Sequence, residues 1–155
     1  MTIDKIHIRN MSSESLETAL DLYKSYLDTN LSLPRLEYLT STYPAKAAYN
    51  ENHEMIGFCY TNQFAPDVIE LANIFLIKEM RNKRVGQILL LDIVRHAYEL
   101  KYTSVILSNS SLYTSQDEKK DPTSFYVRLG FRILYFTKHT NIYVAEIASI
   151  LKEHS

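Results

Sequence analysis

The chain has 155 residues, 46% of them hydrophobic and 23% charged, and its formal net charge at pH 7 is −1. A chain of this length buries roughly 68–70% of its unfolded surface, enough for one domain with a core that needs neither metal nor disulfide, and its near-neutral balance argues against a general phosphate-backbone binder. Only three glycines occur, Gly57, Gly86 and Gly130, which excludes collagen-like, linker-like and low-complexity chains. Cys59 is the sole cysteine, so no internal disulfide forms. There is no basic-then-apolar leader pattern and no apolar run near the roughly 20 residues that span a bilayer. The expectation is a single domain over 1–155 in the reducing cytoplasm, with no membrane partner.

Lys5 to Arg9 alternates polar and apolar residues, the period of a half-buried strand. Ser12 or Ser13 caps a helix with Glu14 and Glu17 in its positive first turn and Leu16, Leu20, Tyr23 and Leu27 on one face. A second helix begins near Ser32 to Pro34, carries Leu36 and Leu39, and ends before Pro44. Ala45 to Asn50 and Met55 to Gln63 flank the polar turn Glu51 to Glu54 and read as an antiparallel hairpin. Val68 to Ile77 is nearly all apolar, interrupted by Glu70 and Asn73, and suits a central strand covered on both faces. After the loop Lys78 to Arg84, an amphipathic helix runs from Val85 to Lys101. Ser104 to Ser108 is the next strand, and the strand–loop–helix–strand order predicts a parallel crossover. A polar loop, Asn109 to Asp121, leads to a short helix over Pro122 to Leu129. Phe131 to Thr137 and Ile142 to Ile147 are the last two strands.

Arg81-Asn82-Lys83-Arg84-Val85-Gly86-Gln87 is the most informative segment, because it joins a buried strand to a helix start. Four of the seven residues from Lys78 to Arg84 are basic. First-turn amides lack internal partners and lie at the positive end of the helix dipole, so the junction suits an anion. Gly86 lets a phosphate chain approach the backbone. A solvated basic turn, with a glycine needed only for packing, is the alternative.

The segment resembles motif A of the GNAT superfamily of acyl-CoA-dependent N-acyltransferases, Gln/Arg-x-x-Gly-x-Gly/Ala, with Arg81 at the first position and Gly86 at the last. Arg84 replaces the middle glycine. Phe125-Tyr126-Val127-Arg128-Leu129-Gly130-Phe131 is similar to the family's FYxxLGF segment, and Met55-Ile56-Gly57-Phe58-Cys59-Tyr60 to its xIGF strand. The resemblance implies an α+β fold in which a mixed, mostly antiparallel sheet of about six or seven strands is flanked by about four helices. It implies acetyl-CoA as acyl donor and direct transfer to a primary amine in a ternary complex. Cofactor contacts then fall on the loop residues Arg81, Asn82, Lys83, Arg84, Val85, Gly86 and Gln87 and on the backbone of Phe75 or Leu76; Asn109, a polar residue just beyond the next strand, is a further candidate by its position near the cleft.

A lysine-like amine with pKa about 10.4 leaves about one molecule in 2,500 neutral at pH 7, a deficit of roughly 4.6 kcal/mol, against about 1 kcal/mol for an α-amine. A general base therefore matters more for the first. The resemblance implies Glu70, the one carboxylate in the apolar strand, as that base, unless it faces away and pairs with a cation. It places Tyr126 at the departing sulfur. The five histidines show no His-Glu-x-x-His or paired Cys/His spacing, so no metal is expected, and Cys59 reads as core. The expected partner is a small-molecule or peptide amine, not nucleic acid, and pairing as a homodimer stays open. The rival function is a catalytically weak or inactive acyl-CoA-binding regulatory module.

Overall fold

The computed structural model describes residues 5–26, 32–81, 84–110 and 123–154, without the side chains of 23–26, 109–110 and 123–124. In chain order the elements are β1 (His7–Asn10), α1 (Ser13–Tyr26), α2 (Leu33–Thr42), β2 (Ala45–Tyr49), β3 (Met55–Ala65), β4 (Val68–Leu76), α3 (Val85–Glu99), β5 (Ser104–Ser110), α4 (Thr123–Leu129), β6 (Arg132–Phe136), β7 (Thr140–Glu146) and α5 (Ile147–Glu153). The seven strands form one sheet in the order β1-β2-β3-β4-β5-β7-β6. Every neighbouring pair is antiparallel except β4 and β5, the strands joined by the expected crossover through α3.

Helices cover the sheet from both sides and close two cores. On one side Val85, Leu89 and Ile93 of α3, Leu129 of α4 and Ile147 and Ile150 of α5 pack with Ile69, Leu71, Leu107 and Tyr143 of the sheet. On the other, Leu16 and Ala19 of α1 and Leu36 and Leu39 of α2 pack on Ala47, Phe58, Tyr60 and Phe75. α1 starts with a reciprocal cap: Ser12 N–H donates to Ser15 Oγ (2.6 Å) and Ser15 N–H to Ser12 Oγ (3.3 Å), which satisfies two otherwise orphaned donors.

Three boundaries differ from expectation. Ile147 does not end the last strand but opens a fifth helix, because its side chain is buried and its N–H donates to the Thr103 carbonyl at 2.9 Å. α3 stops at Glu99, where Lys101 takes a positive φ of 75° and turns the chain. Asn109 and Ser110 belong to β5, paired with Asn141 and Thr140, so the loop expected from Asn109 loses its first two residues; its remainder, with Leu27 of the first helical face, lies outside the described residues.

The feature that positions the site is a bulge in β4. Tyr60 of β3 opposes Asn73, yet the next residue, Thr61, opposes Leu71. Ala72 is left over. An extra residue bends its strand and flips the side-chain alternation: Ile69 and Leu71 face α3, and beyond the bulge so do Ile74 and Leu76. Glu70, Asn73 and Phe75 face the α1/α2 side. β4 pairs with β5 at only three positions, Val68↔Ser104 to Glu70↔Ile106. Beyond them β4 follows β3 as far as Leu76, while β5 follows β7 as far as Ser110, and a wedge opens between.

Gly57 opposes Leu76 along the wall of this wedge. A Cβ there would lie 2.5 Å from Leu76 Cδ2 and 2.7 Å from the Phe75 carbonyl oxygen. Gly57→Ala should therefore destabilise the fold by about 1–3 kcal/mol through overpacking. The check is a lowered urea midpoint at unchanged m-value.

Candidate active site

The wedge is a cleft of about 130 Å³ lined by Leu71, Ala72, Asn73 and Ile74 of β4, Leu107 and Ser108 of β5, and Tyr126 of α4. Its β4 wall carries free backbone groups whose identity follows from register. Ile77 N–H donates to the Ile56 carbonyl at 3.0 Å, so Gly57 and Leu76 are a non-hydrogen-bonded pair, Phe58 and Phe75 a hydrogen-bonded one, and Cys59 and Ile74 again non-hydrogen-bonded. The amides of Ile74 and Leu76 thus point away from β3 into the wedge. Phe75 does not qualify. Its backbone is turned to β3 and its ring is buried among Phe58 and the α1/α2 residues.

At the wide end of the wedge stands the start of α3. Arg84 is its N-cap and makes no side-chain capping bond, and the first turn holds no acidic residue. The first intrahelical bond is Ile88 N–H to the Arg84 carbonyl, so the amides of Val85, Gly86 and Gln87 have no partner within the helix. Val85 is fully buried in the core and offers only its backbone. Arg81 is half-buried, and its Nε donates to the Leu76 carbonyl at 3.2 Å, which ties the loop to the end of β4. Arg84 is exposed, with φ 64° and ψ 5°. The side chain departs from glycine while the backbone keeps the left-handed conformation that glycine favours. Asn82 and Lys83 lie outside the described residues, as does the side chain of Asn109.

Tyr126 and Glu70 sit on opposite sides of the sheet. Tyr126 is buried on the α3 side, with ring centroids 5.1 Å from Phe125, 5.8 Å from Phe131 and 5.1 Å from Tyr143. Three aromatic rings packed around it hold its orientation. Glu70 is half-buried on the α1/α2 side, in a lateral row that runs Asn62, Glu70, Ile106, Val144, Arg132. Among the described residues no cation pairs with its carboxylate. Cys59 is fully buried and burial pushes its thiol pKa up, which leaves an inert core residue.

Sequence reading missed Ala72, Asn73, Ile74, Leu107, Ser108 and Leu71 as parts of the cleft. A signal for the first two was present: Glu70 and Asn73 are three apart, an odd interval that a regular strand would send to opposite faces.

The model of the acetyltransferase (GNAT) family matches residues 7–131. The chain belongs to this family. Among solved structures, the GNAT fold is shared with the PaiA N-acetyltransferase from Thermoplasma acidophilum in complex with coenzyme A (TM-score 0.71, 19% identity, 91% of this chain and 98% of that one). It is shared also with a phosphinothricin acetyltransferase from Sinorhizobium meliloti in complex with AcCoA (0.73, 20%, 92% and 88%). A third is the ribosomal-protein-S18-alanine N-acetyltransferase from Escherichia coli (0.73, 16%, 92% and 94%). A search of curated proteins finds no match.

In this GNAT chain the glycine at the α3 start is not demanded by the fold. A Cβ on Gly86 would meet Leu76 Cδ1 at 3.4 Å, Phe125 Cζ at 3.6 Å and Ile74 Cδ1 at 4.0 Å, contacts of ordinary length. Alanine is favoured over glycine by about 0.8–1 kcal/mol within a helix, so Gly86→Ala should keep or raise the melting temperature. Arg84 carries the converse strain. Arg84→Gly should stabilise the protein by about 1 kcal/mol, the lower end of the left-handed penalty, as read by denaturant unfolding.

Proposed function

We propose that the protein is an N-acetyltransferase that moves an acetyl group from acetyl-CoA to a primary amine by direct transfer in a ternary complex. The wedge carries this reading: one cleft whose wide end has unpartnered helix amides, whose wall has unpaired strand amides, whose lining includes the Tyr126 phenol, and whose closed end is marked by Glu70, the last residue of β4 that pairs with β5. The family match and the relatives solved with CoA or AcCoA support the donor, and the residues present fit it. The amides of Val85 to Gln87, with Arg81 and Arg84, suit its pyrophosphate. The open edge of β4 suits the amide-bearing pantetheine arm, which would bind as an added strand.

Acetyl-CoA supplies an acyl carbon made electrophilic by its thioester. The chain's own residues then act from two sides. The Leu76 or Ile74 N–H donates to the carbonyl oxygen and favours the charge that develops there. Glu70 takes a proton from the incoming ammonium, directly or through water, so that the nitrogen lone pair can form the new C–N bond. As the C–S bond breaks, the nitrogen gives up its second proton, which ends on the departing thiolate directly or by way of the Tyr126 hydroxyl, and Tyr126 O–H donates toward the leaving sulfur. Full proton transfer from a phenol near pKa 10 to a thiolate near 8.5 is uphill by about 2 kcal/mol, so Tyr126 works by hydrogen bonding at least as much as by transfer. The acceptor, a small molecule or a peptide, enters on the Glu70 side. The α3 side is occupied by the donor.

Amine-dependent release of free coenzyme A thiol across an amine library is the direct test. Coenzyme A binding without such release would leave an acyl-CoA-binding module, and no binding in calorimetry would remove both. Tyr126→Phe keeps the ring contacts and should lower kcat by about 10²-fold while leaving the CoA dissociation constant within about twofold. Glu70→Gln should lose most activity at low pH, where the amine is protonated. A loss independent of pH would make Glu70 structural.

A further inference from the structure

β5 and β7 share a face that no described helix closes into a core. Ile106 of β5 lies beside Glu70, Val144 of β7 lies beside Ile106, and Ile142, one repeat along β7, lies opposite Ser108. Alternation sends these three aliphatic side chains to the Glu70 side of the sheet. Each is half-buried, yet none packs with either core: α1 and α2 end their cover at Phe75 of β4, and α3, α4 and α5 pack on the opposite face. The strip borders the wedge. Asn73 and Ser108 line the wedge from the Glu70 side, and Leu71, Leu107 and Tyr126 line it from the other.

We propose that this strip selects the acceptor: a small monoamine whose nitrogen is followed by an uncharged apolar body about 10 Å long, two strand spacings from Glu70 to Val144. The inference rests on the acetyltransferase reading above and narrows it. Glu70 calls for an ammonium at one end by charge. On its β3 side the next residue in the row is the polar Asn62, so the apolar part of an acceptor gains only by running toward β7. Over that span Ile106, Val144 and Ile142 offer methyl and methylene groups and no hydrogen-bonding side chain. A second ammonium laid there would lose its water without gaining a partner, and so would the backbone amides of a peptide. At the far end of the strip stand Arg132, opposite Val144, and Glu146, two residues along β7. One charge of each sign gives no net field that would hold a polyamine. Covering a methylene on one side gives about twofold in kcat/KM, half the free energy of full burial.

The test compares n-hexylamine with cadaverine, its isostere with an ammonium in place of the terminal methyl. With acetyl-CoA, thiol release should give n-hexylamine a kcat/KM at least about tenfold higher, and kcat/KM should rise about twofold per methylene from propylamine to hexylamine. Val144→Thr, which keeps the branched shape and adds a hydroxyl, should cut the hexylamine-to-cadaverine ratio by about threefold, and Val144→Asp should bring it below one. Coenzyme A affinity in calorimetry should stay unchanged in both, which reports that they fold. Equal or faster turnover of cadaverine, or a ratio that neither variant moves, would overturn the assignment of the strip and leave the transferase standing. If no amine releases thiol, the transferase reading falls, and calorimetry of the two amines on the coenzyme A-loaded protein decides the strip alone. Hexylamine binding at least about tenfold tighter than cadaverine would then support it; equal binding, or none, would overturn it.

Discussion

The structure turns on one surplus residue, Ala72. A parallel pair would ordinarily keep the ends of β4 and β5 together. Here the bulge bends β4 after Glu70, so the two strands share only three paired positions and each continues with its other neighbour. The resulting wedge leaves a row of main-chain donors unpaired inside an otherwise closed sheet. Unpaired backbone groups at such a place carry the desolvation cost of a missing hydrogen bond unless a ligand or water meets them. A cleft of this kind is a defect in stability terms and a binding edge in functional terms.

The same bulge sorts side chains by chemistry. It carries Ile74 and Leu76 to the α3 face, where they help close the larger core, and turns Asn73 to the face that holds Glu70. The sheet then separates two environments. One holds the anion-suited start of α3 and the aromatic cluster around Tyr126; the other holds a carboxylate beside half-exposed aliphatics, Ile106, Ile142 and Val144, that belong to neither core. In the proposed reaction, proton uptake by Glu70 and hydrogen-bond donation by Tyr126 would take place on different sides of the sheet.

The three glycines show how differently one residue type can be required. Gly57 is needed because β3 and β4 approach too closely for a Cβ, and Gly130 because the chain leaves α4 at a φ of 113°. Gly86 meets neither condition. A Cβ there would meet only the side-chain ends of Leu76, Phe125 and Ile74, at ordinary contact distances. Arg84 is the counterpart: its backbone holds a glycine conformation at a cost, so the loop's shape is set by its anchors, the Arg81 bond to Leu76 and the packed α3, rather than by its own residue preference.

Most of the secondary structure was legible in the sequence because it is written in local periods. Alternation marked β1, a polar turn between two extended stretches marked the β2–β3 hairpin, the four-and-three spacing marked α1 and α3, and a seven-residue basic loop before a glycine marked a candidate anion site. Tyr126 and Glu70 were readable as candidates from family motifs and from a lone charge in an apolar strand. What lay beyond the sequence was everything set by pairing between distant strands. The bulge at Ala72 exists only relative to β3. The choice of Ile74 and Leu76 over Phe75 as open amides depends on which pairs along β3 exchange hydrogen bonds. The helical state of Ile147 depends on a bond to Thr103, and the exposure of Ile133 to Phe136, which read as an ordinary apolar strand, depends on β6 falling at the sheet's edge. Local sequence determined which segments become strands and helices and which residues could do chemistry. Tertiary structure decided which faces and edges they present, because register and strand order are properties of partners, and no single segment contains them.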